Sequence, residues 1–516
     1  MSLLWSPPVQ PSPEEERILA RCKKAKLYVF LRRYRHELFD ESFQRELVGM
    51  YPERRRGEEP LPPAMLAMAT ILQAYEDLSD EDAVDTSLDS RRWQMLLGKL
   101  GSDEPAFSQG SLFNFRQRLI AHDMDRRLVE KTVELARTTK GFDHKALKAA
   151  FDSSPLFGAA RVEDTFNLIG HAVRDVVGTV AKRLGVPFDE AARRSGVPLV
   201  AGGASLKATL DVDWDDPAQK KSALETLLSQ VRELGGFLER ELADALAVPP
   251  LREQWATVEQ FLGQDIEPDP EGGGSRIKQG VAKERRISVT DGEMRHGRKS
   301  KSSRVDGYKR HIAVDLATKL IVGAAVTPAN RPEGEASGAL LDDIERQGFT
   351  VEDAYIDRAY LLAEAFEVRR FWDMRVHAKA FPLRNAGRYT KADFDLDFTD
   401  GKVTCPAGQV APLSLGSITR FPQSACGPCE QRERCTTAPA RHLSIHPEEP
   451  FLVELRARQK TPDGRADLRQ RVPVEHRLAA IGGAKRRRAR YRGVRKNLYD
   501  VRRHAVVANL HVAAAA

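Results

Sequence analysis

Two short apolar runs that each end in an aspartate place the strongest constraint on how this chain can fold. Residues 149–151 precede Asp152, and residues 354–356 precede Asp357. Runs of this length and composition are typical of buried strands, which deliver the next side chain to the rim of a sheet. The sequence therefore predicts a sheet with helices around it and two carboxylates carried on strand ends.

A third acidic residue, Glu475, lies four residues after Arg471. We interpret this segment as helical, so the two side chains share one face, and Pro473 between them either begins the helix or kinks it. Hard cations such as Mg²⁺ prefer oxygen ligands and keep positions for water and phosphate. Convergence of Asp152, Asp357 and Glu475 would therefore indicate phosphodiester chemistry. A structural salt bridge is the alternative for Arg471.

The first 140 residues are predicted to be helical. Pro62 and Pro63 precede an Ala-, Met- and Leu-rich stretch, and Ser79 and Ser108 are placed to cap two further helices. On the last of these, Arg116 and Arg118 are predicted to face a phosphate backbone. A dimerisation bundle is the alternative role for this segment.

After residue 142 the pattern changes to short apolar runs. These predict strands at residues 146–152, 311–315, 320–326, 351–357 and 375–378, the second and third forming a hairpin. Residues 161–275 interrupt the series with a long helical segment that ends in a Pro- and Gly-rich linker. We expect this segment to be an insertion packed beside the sheet.

Positive charge is concentrated in two segments, although the net charge of +7 on 516 residues is modest. Clustering of this kind favours phosphate contacts, and solvated faces are the alternative. The candidates in the first segment are Arg298, Lys299 and Lys309. Those in the second are Lys485, Arg486, Arg487, Arg488, Arg490 and Arg492.

Four of the five cysteines lie close together in the sequence, with 20, 2 and 5 residues between them: Cys405, Cys426, Cys429 and Cys435. In a reducing compartment such a group favours a structural Zn²⁺ over disulfides, with free thiols as the alternative. The N-terminus is not typical of a signal peptide, and no apolar stretch of about 18 residues could span a membrane. We therefore expect a cytoplasmic protein that does not associate with membranes.

These segments together resemble one family, the DDE transposases of bacterial insertion sequences, in the IS eleven-eighty-two-like branch. The resemblance is carried by residues 75–80, 107–111, 152–155, 307–311, 327–330 and 357–360, by the cysteines, by Arg471 with Glu475, and by residues 490–493. In the helix of Arg471 the family usually has a Tyr three residues before the Arg and a Lys seven after the Glu. Leu468 and Gly482 stand at those positions here.

The resemblance implies an RNase H-like mixed sheet of the α+β or α/β class, with a helical N-terminal domain and a helical insertion. The implied domains are a DNA-binding domain at 1–140, a catalytic domain at 141–160 and 276–516, the insertion at 161–275, and a cysteine-rich insert at 400–440. By the family's motifs, Asp152, Asp357 and Glu475 would hold two Mg²⁺ ions, for which Mn²⁺ can substitute, with Arg471 beside them.

The implied function is metal-dependent cleavage of the element's terminal inverted repeats and their transfer into target DNA. A dimer assembled on double-stranded DNA and a location on the bacterial nucleoid follow from the same resemblance. Two alternatives use the same residues: an RNase H-like nuclease that cuts without joining, and a non-enzymatic DNA-binding protein derived from a transposase.

Overall fold

The computed structural model describes residues 3–52, 59–202, 205–280, 282–299, 302–482 and 486–515. The N-terminal part is helical, as predicted. Its helices are α1 (Pro13–Arg21), α2 (Lys26–Leu38), α3 (Glu41–Val48), α4 (Pro63–Glu76), α5 (Asp80–Asp89), α6 (Arg91–Leu97), α7 (Gln109–Ala121) and α8 (Met124–Lys140).

The predicted capping residues begin these helices. Pro63 occupies the first turn of α4, where a missing backbone N–H costs nothing. Ser79 and Asp82 form a reciprocal capping box at the start of α5, and the Ser108 hydroxyl accepts a hydrogen bond from Ser111 N at the start of α7.

The central sheet contains strands from widely separated parts of the chain. They are β1 (Ala146–Phe157), β4 (Arg295–Arg298), β5 (Arg304–Asp315), β6 (Ile321–Pro328), β7 (Thr350–Ile356) and β8 (Arg375–His377). The strand order is β4-β5-β1-β7-β8, and β6 pairs with β5. β1 is antiparallel to β5 but parallel to β7, and β7 is parallel to β8. The sheet is therefore mixed, as predicted.

The segment between β1 and β4 forms a helical unit with its own apolar core. Its elements are α9 (Thr165–Leu184), α10 (Phe188–Arg194), α11 (Leu206–Leu210), α12 (Pro217–Glu241), α13 (Ala243–Leu246), α14 (Leu251–Asp265), β2 (Ile266–Pro268) and β3 (Ser275–Ile277). Leu227, Val231 and Leu234 of α12 are buried in that core. Their helical spacing is what allowed this face to be recognised in the sequence.

The last third of the chain completes the sheet layer and adds a small unit. Its helices are α15 (Ser337–Arg346), α16 (Glu364–Phe371), α17 (Gln423–Cys426), α18 (Arg432–Cys435), α19 (Glu449–Arg458), α20 (Pro462–Arg469), α21 (Val472–Gly482) and α22 (Val494–Ala514). The short strands β9 (Asp395–Asp397), β10 (Lys402–Thr404), β11 (Val410–Pro412), β12 (Ile418–Arg420) and β13 (His442–Ser444) surround the cysteines.

Helix α22 joins the N-terminal helices to the sheet. It packs against α8 and α4 on one side and against β6 on the other. Inside this interface Asn509 bonds both the backbone of Ile321 and the Thr132 hydroxyl. The N-terminal helices and the sheet consequently share one continuous apolar core. Within the described residues, no helix is both long and apolar enough to cross a membrane.

Candidate active site

Asp152 and Asp357 lie side by side at one rim of the sheet. Phe151 of β1 is in register with Ile356 of β7, and the two strands are parallel, so the next residue on each strand reaches the same rim. Asp152 Oδ1 accepts a hydrogen bond from Ser153 N, whereas Asp357 caps the turn after β7 by accepting from Ala359 N. The side chain of Asp152 is 15% exposed and that of Asp357 is 46% exposed.

Arg471 brings the third carboxylate to this pair. Its Nη1 lies 3.2 Å from Asp152 Oδ2 and 3.6 Å from Asp357 Oδ2, and its Nη2 lies 3.3 Å from Glu475 Oε1. One guanidinium therefore contacts all three predicted acidic residues. Pro473 is the second residue of α21, so it begins the helix and does not kink it.

Burial controls the protonation of Asp152. It raises the pKa of this carboxyl from its ordinary 3.8 to about 6, against the opposing effects of the Arg471 cation and the Ser153 N–H. The negative charges of Asp357 and Glu333 act in the same direction as burial. Asp152 is therefore an ion at neutral pH but takes up a proton in mildly acidic solution.

Asp315 resembles Asp357 in sequence but occupies the opposite end of the sheet. It pairs with Ala149 across β5 and β1, three residues before Asp152. Its carboxylate accepts hydrogen bonds from the backbone of Ala317 and from the backbone and hydroxyl of Thr318. Asp315 therefore stabilises the tight turn between β5 and β6.

Arg310 fixes the end of α21 against the sheet, a role that the sequence did not reveal. This buried side chain donates to Ser154 Oγ (2.8 Å) and to the carbonyls of Gly482 (3.3 Å) and Arg486 (3.2 Å). A Cβ at Gly482 would lie only 2.6 Å from the guanidinium carbon, so glycine permits this approach. These contacts of Arg310 fix the end of α21, the helix that carries Glu475.

A second set of hydrogen bonds connects the strand beside Asp152 to neighbouring segments. His311, which pairs with Ser153 across the sheet, bonds the Tyr360 hydroxyl (2.6 Å) and Thr327 Oγ1 (2.9 Å). Burial lowers the pKa of His311 to about 3, so its ring is neutral. Its two hydrogen bonds therefore connect β5 to β6 and to the turn after Asp357.

The structure corrects the predicted role of Arg116. The side chain is buried, forms an ion pair with Asp80 and donates a hydrogen bond to the Tyr491 hydroxyl (3.0 Å). Arg116 therefore connects α5, α7 and the segment before α22. The prediction that it faces a phosphate backbone is wrong, because the side chain is buried. Arg118, two residues along, stacks over the ring of Tyr51 with 4.4 Å between the guanidinium carbon and the ring centre.

Much of the predicted basic run before α22 also makes internal contacts. Arg488 donates to the carbonyls of Gly158 and Ala159, Arg490 to that of Leu78, and Arg486 to that of Ala480. Arg487 and Arg492 are exposed, whereas Lys485 lies outside the described residues. In the first basic segment Arg298 and Lys299 are exposed, and Lys309 donates to the carbonyl of Arg331.

The predicted zinc site is not assembled. Cys405, Cys426, Cys429 and Cys435 line one small cavity, and three of them pack against an apolar cluster around Phe394 and Phe421. Yet within the described ranges no three His, Cys, Asp or Glu side chains are grouped closely enough to hold a metal ion. Zinc binding by these four cysteines therefore stays a prediction, with free thiols as the alternative.

The carboxylates at the sheet rim likewise form no metal-binding group among the described residues, and they contact the guanidinium of Arg471 instead. The guanidinium of Arg471 lies between Asp152 and Asp357, where their negative charges would otherwise repel. The donor chemistry fits a hard divalent cation, because carboxylate oxygens are the ligands that Mg²⁺ prefers. The two aspartates fit such a cation, with Glu475 joined to them through Arg471.

A mixed sheet with two aspartates at one rim, and a glutamate on a helix beside them, defines a class of protein suited to phosphodiester chemistry. Comparison with known families makes this more specific. Residues 281–510 match the family described as a transposase DDE domain, and residues 20–118 match a transposase domain, DUF772. No curated protein and no solved structure matches the chain significantly.

The two matched segments support a DDE transposase of an insertion sequence and indicate DNA as its substrate. The DDE segment contains Asp357, Arg471 and Glu475, but Asp152 precedes it by more than a hundred residues. Pairing of β1 with β5 and β7 brings Asp152 to the site. The helical insertion therefore separates, in sequence only, residues that the sheet places together.

Proposed function

We propose that this chain cuts the ends of its insertion sequence and joins them to target DNA. The observation that carries the proposal is the arrangement of Asp152, Asp357 and Glu475 around the Arg471 guanidinium. The match of residues 281–510 to a transposase DDE domain supports the same chemistry. Cleavage and joining share one reaction type, attack of an oxygen nucleophile on a phosphodiester, so one site can perform both.

Asp152, Asp357 and Glu475 are the residues that would hold Mg²⁺, or Mn²⁺ in its place. Two such ions would activate a water or a DNA 3′-hydroxyl and stabilise the leaving oxygen. In the free protein Asp152 is mainly ionised above about pH 6, the pKa to which burial raises it. Arg471 offsets part of the negative charge of the three carboxylates in the free protein, and its buried Nη1 makes ion-pair contacts but no hydrogen bond among the described residues. Metal ions bound to the carboxylates would release the guanidinium to contact a phosphate.

We propose that exposed cations outside the site hold the terminal inverted repeats. Arg487, Arg492, Arg298 and Lys299 are exposed and have no ion-pair partner within the described part of the chain. Such contacts to phosphates position DNA without specifying its sequence. Because two element ends must be joined to one target, assembly of a dimer on the DNA is part of the proposal.

The decisive experiment compares two Asp→Asn variants on a DNA fragment that carries the element's own ends. Asp357→Asn should abolish Mg²⁺-dependent cleavage and leave binding of the ends intact. Asp315→Asn is the matched control, because it changes the same functional group at the opposite end of the same sheet. Cleavage by the Asp357 variant would refute the assignment of the site.

A second assay distinguishes the transposase from a nuclease that cuts without joining. Fragments with a free 3′-hydroxyl at the element end are incubated with a plasmid target, and joined products are separated by size. We expect joined products with the wild-type protein and none with Asp152→Asn. Cleavage without any joined product would favour the nuclease.

A further inference from the structure

A cleft of about 620 Å³ opens from the candidate active site along the ends of β7 and β8. Tyr355 and His377, which stack with ring centres 4.4 Å apart, form part of its wall, and Asp357 and Glu475 lie at one side. The carboxyl ends of parallel strands are where open α/β sheets usually bind their ligands. The cleft is thus continuous with the site and suitably placed for part of its substrate.

The cleft also contains cations that no acidic side chain neutralises. Arg358, Lys379 and Arg469 line it, and none of them has an ion pair or side-chain hydrogen bond within the described residues. Lys379 and Arg469 are exposed, whereas the Nε of Arg358 is buried without a partner. These three differ from Arg471, whose charge Asp152, Asp357 and Glu475 already balance. Their unbalanced positive charge favours a polyanion.

The shape and one aromatic ring indicate which polyanion fits. A volume of this order suits a ligand of small-molecule size, within the roughly 300–1,000 Å³ typical of such pockets, and not a whole DNA duplex. Phe381, which is 37% exposed, lines the same cleft. Exposed aromatic rings beside cations are typical of surfaces that bind single strands, because every base can stack on them.

We propose that this cleft binds a single DNA strand next to the scissile phosphate. Arg358, Lys379 and Arg469 contact its phosphates and Phe381 stacks on one of its bases. This inference rests on the proposed function, because it places the strand by reference to Asp357. The side chains proposed to contact this strand follow β7, follow β8 and end α20, and none of them belongs to the two basic segments recognised in the sequence.

The test measures binding of a fluorescent oligonucleotide whose duplex ends in a single-stranded 3′ overhang, without divalent metal and at several salt concentrations. In the double variant Lys379→Gln, Arg469→Gln the slope of log K against log salt should fall by about 1.4, or about 0.7 for each lost single-strand contact. A blunt duplex should show little change. Phe381→Leu should weaken overhang binding about tenfold at every salt concentration and leave the slope unchanged.

The matched control is Lys220→Gln, Arg252→Gln, which removes from α12 and α14 two exposed cations that have no ion-pair partner among the residues described. Thermal melting checks that each variant folds as the wild type does. A cleft variant whose slope equals that of the control overturns the inference, and so does an equal loss on the blunt duplex. If the wild type binds the overhang as expected but never cleaves, the proposed function fails and the cleft assignment stands.

Discussion

Replacing Asp152 by Asn should stabilise the protein at pH 8, although it removes a carboxylate that the proposed chemistry needs. Burial raises the pKa of Asp152 from 3.8 to about 6 even with Arg471 beside it. At 1.36 kcal/mol for each pKa unit, keeping this side chain ionised costs the folded state about 3 kcal/mol. Asparagine keeps the size and the acceptor for Ser153 N but has no charge to desolvate.

The stabilising effect of Asp152→Asn should depend on pH, because the charge of Asp152 does. Below pH 3.8 the carboxyl is protonated in both folded and unfolded chains, so it imposes no electrostatic cost. Between about pH 4 and pH 6 the folded state holds the proton and the unfolded state has lost it, so wild-type stability falls as pH rises. Above pH 6 the loss is complete.

The assay is thermal unfolding of the wild type and the Asp152→Asn variant from pH 4 to pH 8 without divalent metal. The advantage of the variant should grow by about 3 kcal/mol across that range and level off above pH 6. An advantage that does not vary with pH would refute the reasoning, as would a variant less stable than the wild type at pH 8.

Four further outcomes follow from the contacts of other side chains. Arg471→Gln should tighten Mn²⁺ binding at pH 8, measured by calorimetry, because no guanidinium then competes for the carboxylates, and looser binding would contradict this. Asp315→Asn should lower the free energy of unfolding by about 1–3 kcal/mol, since it weakens buried hydrogen bonds to the β5–β6 turn, while Mg²⁺-dependent cleavage continues. Arg116→Ala should cost about 3 kcal/mol of stability by removing the ion-pair partner of Asp80, and equal melting temperatures would argue against this. Arg487→Ala should leave stability unchanged, weaken DNA binding and reduce the slope of log K against log salt by about one unit, and an unchanged slope would argue against a phosphate contact.

The strands could be predicted because their signal is local. The apolar run that ends at Asp357 corresponds to β7 (Thr350–Ile356), and the predicted hairpin corresponds to β5 and β6. The first strand was expected to end at Asp152 but continues to Phe157, because β5 extends past it and supplies hydrogen-bond partners as far as Gly307. A polar run such as Ser153–Ser154 gives no such signal by itself.

The basic residues could not be assigned in the same way, because a sequence shows a charge without its partner. Arg488 and Arg490 belong to the densest basic run, yet their guanidinium groups satisfy backbone carbonyls at Gly158, Ala159 and Leu78. Of the cleft cations, Arg358 follows β7, Lys379 follows β8 and Arg469 ends α20, and these segments, distant in sequence, line one cleft only in the folded chain. Charge density therefore located segments whose cations make internal contacts as well as segments whose cations are exposed.

Two energetic costs at the rim suggest why the free protein keeps Arg471 among the carboxylates. An ionised Asp152 is unfavourable in its buried position, and Arg471 Nη1 is buried without a hydrogen-bond partner in the part of the chain that the structure describes. Their ion pair at 3.2 Å reduces both costs without removing either. A divalent cation would stabilise the ionised Asp152, and a DNA phosphate would accept a hydrogen bond from Arg471 Nη1. Either ligand would weaken the ion pair between Asp152 and Arg471. Binding of metal and binding of DNA should therefore be mutually favourable, because either ligand releases the group that the other one needs.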